Sequence, residues 1–327
     1  MLMRNYLILD RAEIICYYET RTNRTEEHTM DIRGLKYFLA VAREKSFSVA
    51  AQRLFLSQPT LSRQLKELED ELGKPLFIRS SKGLTLTEEG VILRARAEEI
   101  VALMEKTEQE VRQSSEQVAG MVHIGAGETY AIKLVADTAQ RLSVDYPGLQ
   151  YSIYSADSSD VLERLDRGLL DFGIVFQNVD LSKYSAVELP LKDTFGVLMR
   201  RDSPLADREF ITLADLRGKP LIIPRQPNHN SMFLDMLGID EENIRVAAQY
   251  NLVYNGSVMA SEGMGYCICI DRLINVTGDS NMCFKPFMPP IEASCLFIWK
   301  RDSVFSKAAE KFQEQFVSDI KKYAIPQ

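Results

Sequence analysis

The stretch SQPTLSRQLKELEDELG, residues 57–73, limits the possible folds more than any other part of this chain. Leu61, Leu65, Leu68 and Leu72 fall at spacings of four, three and four, the single apolar stripe of an amphipathic helix. Ser57 suits the N-cap, and Pro59 falls in the first turn, where a missing N–H costs nothing. Just before it, VAAQRLF patterns as a short helix that Ser46 or Ser48 caps. Residues 31–44 form an earlier helix with Leu35, Phe38, Leu39, Val41 and Ala42 available for burial. Two helices joined by a tight turn at Leu56-Ser57 make a helix-turn-helix. After Gly73, the β-like runs PLFIR and LTLT flank Ser80-Ser81-Lys82-Gly83 and predict a hairpin, or wing.

The polar face of the 57–73 helix is ordered against its own dipole. Gln58, Thr60, Ser62, Arg63, Gln64 and Lys66 come first, and Glu67, Glu69, Asp70 and Glu71 follow, whereas a helix dipole favours acids first and bases last. Docking against DNA supplies a reason. A recognition helix enters the major groove with its N-terminal residues toward base edges, Gln pairing with adenine and Arg with guanine. Acids at that end would repel phosphate. Ser57, Gln58, Pro59, Thr60, Ser62, Arg63 and Lys66 are therefore the candidate DNA-reading residues. Arg79 and Lys82 on the wing are candidates for the minor groove or the phosphates. A solvated helix with incidental charges is the competing reading, and the preceding helix and the wing together weigh against it. The chain's net charge of −7 is unlike that of a general nucleic-acid binder. Residues 30–90, however, carry ten Lys and Arg against eight Asp and Glu, about +2, leaving about −9 elsewhere.

Thr87-Glu88-Glu89-Gly90 opens a further helix that can run to about Ser115. Leu93, Ala97, Ile100, Met104, Thr107 and Val111 are spaced 4, 3, 4, 3, 4, a short seam expected to dimerise the chain. Packing of this helix on its own domain is the alternative. SSEQVAG, 114–120, reads as a linker, and beyond it strands alternate with helices, the pattern of α/β layers. The expected strands are MVHIGA, LQYSIYS, DFGIVF, FGVLMR, PLIIP, IRVAAQY, GYCICI and ASCLFIW. The expected helices are 130–146, 157–166, MFLDMLG, 256–262 and 305–323. The domains are then 1–29, a disordered extension or mis-assigned start; 30–88, a winged helix-turn-helix; 89–117, a dimerising linker helix; and 118–327, a domain of α/β layers.

In α/β layers, ligands sit at strand C-termini and helix N-termini. Thr129 follows the first strand of the second half, Ser158 the second and Gln177 the third, while Arg225 ends PLIIP; these four are the candidate ligand-binding residues. Helix N-termini with Arg225 suit a carboxylate, whereas Glu128 and Asp157 favour an amine. Capping is the alternative role for Ser158 and Ser159. Cys267 and Cys269 share one side of a strand about 6.7 Å apart, outside disulfide reach, and are expected to be buried thiols. The odd count of five cysteines and the absence of a long apolar run or signal peptide suit a reducing cytoplasm and no membrane. His28, His123 and His229 are too scattered for a metal set, and Gly125-Ala126-Gly127 lacks the full dinucleotide fingerprint, so neither metal nor cofactor is expected.

Residues 30–90, and above all AAQRLFLSQPTLSRQLKELEDELGKPLF, closely resemble the DNA-binding domain of LysR-type transcriptional regulators. The resemblance implies a winged helix-turn-helix, a long dimerising linker helix and a periplasmic-binding-protein-like effector domain of two Rossmann-like α/β subdomains. It implies assembly as dimers or as tetramers of two dimers on double-stranded DNA. By the same resemblance, Gln58, Pro59, Ser62 and Arg63 face the major groove, Arg79 and Lys82 lie on the wing, and Thr129 and Ser158 match positions that often bind effector. The family usually begins near Met30, which favours a mis-assigned start for 1–29. The expectation is a DNA-binding transcriptional regulator controlled by a small-molecule effector. The rivals are a DNA-bridging structural protein without ligand and an α/β enzyme with an attached DNA-binding module; no nucleophile–base constellation supports the latter.

Overall fold

A computed structural model describes residues 30–80, 83–112, 118–177, 179–225 and 245–323. The stretch 1–29 and the expected helix MFLDMLG lie outside the described residues. The described residues form two compact units, divided between Glu105 and Lys106.

The first unit begins with α1 (Ile32–Glu44), capped by the Asp31 carboxylate accepting from Gly34 N at 2.6 Å. Then α2 (Phe47–Arg53) follows its Ser46 cap, and α3 (Gln58–Leu72) follows Ser57, whose hydroxyl accepts from Thr60 N. Gly73 ends α3 in the left-handed region at φ 64°, a conformation that costs glycine little. Leu61, Leu65 and Leu68 are buried with Leu35, Phe38, Val41, Ala50 and Ala51. Leu72, the last leucine of the stripe, is 40% exposed because the helix has run past the core. The wing pairs β1 (Phe77–Ser80) with β2 (Gly83–Leu86), antiparallel, with Arg79 opposite Leu84.

Helix α4 (Glu88–Arg112) starts at Thr87, whose hydroxyl accepts from Gly90 N and donates to Pro75 O. Gly90 sits so close to the chain just before β1 that a Cβ would lie 2.2 Å from Leu76 O. Two residues of the expected dimer seam, Leu93 and Ala97, turn toward the chain's own core, whereas Ile100 and Val111 are 39% and 79% exposed. Ala97 is fully buried in the N-terminal core, with Leu93 and Val101 packed against it. A different face, carrying Val91, Ile92, Ala95 and Ala102, is exposed. Seven-residue spacing alone could not tell which apolar stripe covers the chain's own core.

The second unit contains β3 (Gly120–Ala126), α5 (Ile132–Asp145), β4 (Leu149–Ser155), α6 (Ser158–Asp166), β5 (Phe172–Phe176) and β6 (Tyr184–Arg200). After these come β7 (Pro220–Pro224), β8 (Arg245–Tyr250), α7 (Val253–Ser261), β9 (Tyr266–Ile270), β10 (Met282–Pro286), β11 (Glu292–Lys300) and α8 (Lys307–Tyr323). The sheet path is β4-β3-β5-β11-β6-β9-β7-β8, with β10 also on β6. Strands β3, β4 and β5 run parallel, as do β7, β8 and β9. Each triplet forms the parallel core of one subdomain. The 17-residue β6 belongs to both: up to Thr194 it pairs with β11, and from Phe195 it pairs with β9 and β10.

The sequence located only FGVLMR of β6 and missed β10. The first half of β6, YSAVELPLKDT, is punctuated by charges and Pro190. It shows the alternating burial of a strand with one wet face. In the first subdomain, α5 and α8 cover one sheet face and α6 the other. In the second, Cys267 and Cys269 lie under α7 while Ile268 and Ile270 face the opposite core. Cys267 and Cys269 are buried free thiols. A hydrogen bond with Cys267, together with burial, holds the Cys269 thiol well above the usual thiol range.

Candidate DNA-reading face and effector junction

The buried leucines of α3 fix which side faces outward. Gln58, Pro59, Thr60, Arg63 and Lys66 are exposed, and Ser62 is half-buried beside them. Ser57 and Thr60 are also tied to helix initiation, their hydroxyls 2.7 Å apart. Arg63 is 3.3 Å from Glu67 one turn on, and Gln64 donates to the same carboxylate. On the wing, the Arg79 guanidinium lies 4.7 Å from the ring centre of Phe47 at the start of α2, which seats the wing beside the helix pair. Lys82 lies outside the described residues.

The acids at the end of α3 have a role that sequence reasoning missed. Glu69 Oε1 accepts from Leu76 N at 2.7 Å and from Phe77 N at 3.2 Å. This carboxylate therefore fastens the wing to the recognition helix. Phe55, in the turn before α3, holds φ 56° and is 96% exposed.

In the second unit, the loops at the C-terminal ends of the two parallel triplets meet. Thr129 is 2% exposed. Its hydroxyl donates to Asp193 Oδ2 at 2.5 Å and accepts from Ala131 N at 3.1 Å. Asp193 sits where β6 passes from one subdomain to the other, and its second oxygen accepts from Tyr130 N. Burial pushes the Asp193 carboxyl above its ordinary pKa, against the bonds from Thr129 and Tyr130. Arg272, at φ 61°, lies 4.4 Å from the Tyr130 ring centre and donates to Lys192 O at 2.6 Å. Nothing in the sequence pattern singled out Asp193 or Arg272, because neither belongs to a motif.

Glu128 accepts from Val253 N, the first residue of α7, while burial raises its carboxyl pKa. Asp157 caps α6 by accepting from Asp160 N at 3.1 Å. Both acids are thus engaged by backbone N–H groups. Ser158, half-buried, opens α6; Gln177 is exposed, its N–H donating to Ser294 O. Arg225 is exposed, and its positive charge acts on Asp160 in the first turn of α6. Burial, then Asp157 and Glu163, still leave the Asp160 carboxyl above its ordinary pKa. The structure therefore ties Thr129 to the crossover strand and leaves Arg225 exposed, its charge felt at Asp160 in the first turn of α6. Among the described residues, no group of His, Cys, Asp and Glu forms a metal site. No described helix is long and apolar enough to cross a membrane.

Comparison with known proteins agrees with this geometry. Residues 32–91 match the bacterial regulatory helix-turn-helix protein, lysR family, and residues 115–320 match the LysR substrate binding domain. The HTH-type transcriptional regulator BsdA of Bacillus subtilis (strain 168) is 30% identical over 296 residues, 88% of this chain and 100% of that protein. The DNA-binding transcriptional dual regulator OxyR of Escherichia coli (strain K12) is 33% identical over 195 residues, 59% of this chain and 63% of OxyR. CbnR, a LysR family transcriptional regulator of known structure, aligns with TM-score 0.69 at 19% identity, covering 91% of this chain and 100% of CbnR. This chain belongs to the LysR family of transcriptional regulators, which are not enzymes: it joins a DNA-binding winged helix-turn-helix to an effector-binding α/β domain.

Proposed function

We propose that the exposed first half of α3 reads a specific operator in the major groove, with Gln58 and Arg63 contacting base edges and Ser62 and Lys66 supporting them. Ser57, Pro59 and Thr60 set the entry of the helix, and the wing, through Arg79 and Lys82, contacts phosphate or the minor groove. The observation that carries this reading is the division of α3. Three buried leucines lock one face, which leaves Gln58, Arg63 and Lys66 outward at the end free of acids. CbnR has been crystallised with its target DNA, and that complex aligns with this chain at TM-score 0.68.

The chain acts as a homodimer or a tetramer, and the exposed face of α4 with Val91, Ile92, Ala95 and Ala102 is the surface offered for pairing. The effector is a small molecule bearing a carboxylate. It is held between the α6 N-terminus at Ser158 and Arg225, with Gln177 at the rim and Thr129 shaping the floor from its bonded position. Glu128 and Asp157, both bonded to backbone N–H groups, no longer argue for an amine. Binding there shifts the arrangement of the subdomains and, through it, the spacing of the DNA-reading helices.

Footprinting on the protein's own promoter region tests the DNA reading. Gln58→Ala/Arg63→Ala should lose the protected site while keeping the wild-type melting profile. Unchanged protection would sink the α3 assignment. A thermal-shift screen of small carboxylates tests the effector reading: stabilisation that disappears in Arg225→Ala supports it, and stabilisation unaffected by that change refutes it.

A further inference from the structure

The loop after β3 grips the second subdomain through three consecutive residues. Thr129 and Tyr130 hold the crossover strand at Asp193, and Tyr130 also underlies Arg272. These contacts sit at the pivot that both subdomains share, where a change in their relative orientation displaces them little. Glu128 differs, because it reaches past the pivot to the start of α7. The first N–H groups of any helix lack intrahelical partners and take them from a cap. Leu252, the N-cap residue of α7, offers no side-chain bond, and leucine is among the poorest residues at that position. The missing acceptor comes instead from 125 residues earlier in the chain, in the other subdomain. Glu128 in turn is half-buried, and the Val253 N–H offsets the cost of that burial. Each group thus satisfies a need the other subdomain cannot meet alone.

We propose that Glu128 is an internal latch: its carboxylate caps α7 across the junction and must let go before the two subdomains separate. The latch adds a conformational control that does not depend on which effector the domain binds. It also makes the start of α7 a reporter of the junction, because an open domain leaves that helix uncapped.

Hydrogen exchange on the full-length protein tests this, comparing wild type with Glu128→Ala and Glu128→Gln. In Glu128→Ala, exchange at residues 253–255 should rise about tenfold, the loss expected for one charge-assisted bond. A concerted rise should also appear on the first subdomain's side of the junction, at 127–130 and at 156–160, while amides in the middle of α5 stay unchanged. Glu128→Gln keeps an acceptor oxygen and should show a smaller rise at the same places, which also covers the case of an Ala variant that fails to fold. Unchanged exchange at Val253 in the variants overturns the proposal. So does a rise confined to 253–255, which would mark Glu128 as a cap only.

Discussion

Replacing Glu69 should loosen the wing more than a surface acid would suggest. Its Oε1 holds the Leu76 and Phe77 N–H groups at 2.7 and 3.2 Å. Leu76 is 1% exposed, and the Phe77 ring lies 5.4 Å from Phe38 and 5.7 Å from Phe47. Hydrogen bonds to a charged group contribute about 1.5–3 kcal/mol each. The second bond is long and water reaches the half-buried carboxylate, so the pair contributes about 2–3 kcal/mol together. In a unit of this size, each kcal/mol moves the melting midpoint by about 4–8 °C. Glu69→Ala should therefore lower the N-terminal transition by roughly 10–20 °C. Glu69→Gln keeps one neutral acceptor and should lose about half as much. Calorimetry on the full chain measures the shift, with hydrogen exchange at Phe77 identifying the N-terminal transition. An unchanged midpoint in Glu69→Ala would refute the assignment of this carboxylate as the fastener of the wing. Asp70→Asn and Glu71→Gln, at exposed positions without such bonds, serve as controls and should leave the midpoint unmoved.

Other positions yield sharper single tests. Phe55→Gly should stabilise the N-terminal unit by about 1 kcal/mol in urea unfolding, because Phe55 is exposed and held at positive φ; a loss of operator affinity in the same variant would show that the ring meets DNA. Thr129→Val should cost about 1–3 kcal/mol in the effector unit with no ligand present, since it leaves the buried Asp193 carboxylate and the Ala131 N–H short of a partner. His123 has its pKa lowered, first by burial and then by Lys106, with Asp171 opposing. A neutral buried imidazole contributes stability above its unfolded pKa that is lost as pH falls through about 6.5 toward the folded value. The urea midpoint should therefore drop between neutral and mildly acidic pH, and by less in His123→Gln.

The N-terminal unit was legible because its signals are local. Ser46, Ser57 and Thr87 each cap the helix that follows them, and the leucine stripe of α3 needed only its spacing. The parallel strands were legible as short apolar runs. What escaped was set by partners far along the chain. Pro190 and the charges of the first half of β6 disguised a strand whose pairing is supplied by β11. The seam on α4 read correctly as apolar, but only the fold decides that Leu93 and Ala97 cover the chain's own core. Glu128 suggested an amine ligand until Val253, 125 residues away, proved to be its partner. Asp193 carried no pattern at all.

The sheet order has a consequence for how the chain is made. Strand β11 lies between β5 and β6, and Phe312 and Phe316 of α8 fill the core over β3 and β5. Residues 292–323 therefore complete the subdomain whose strands leave the ribosome first. Until they emerge, β5 lacks its neighbour on one side and the apolar face beneath α8 stays bare. The older half of the nascent effector domain is thus the last to close, and it needs protection from aggregation for the whole time the second half is being synthesised.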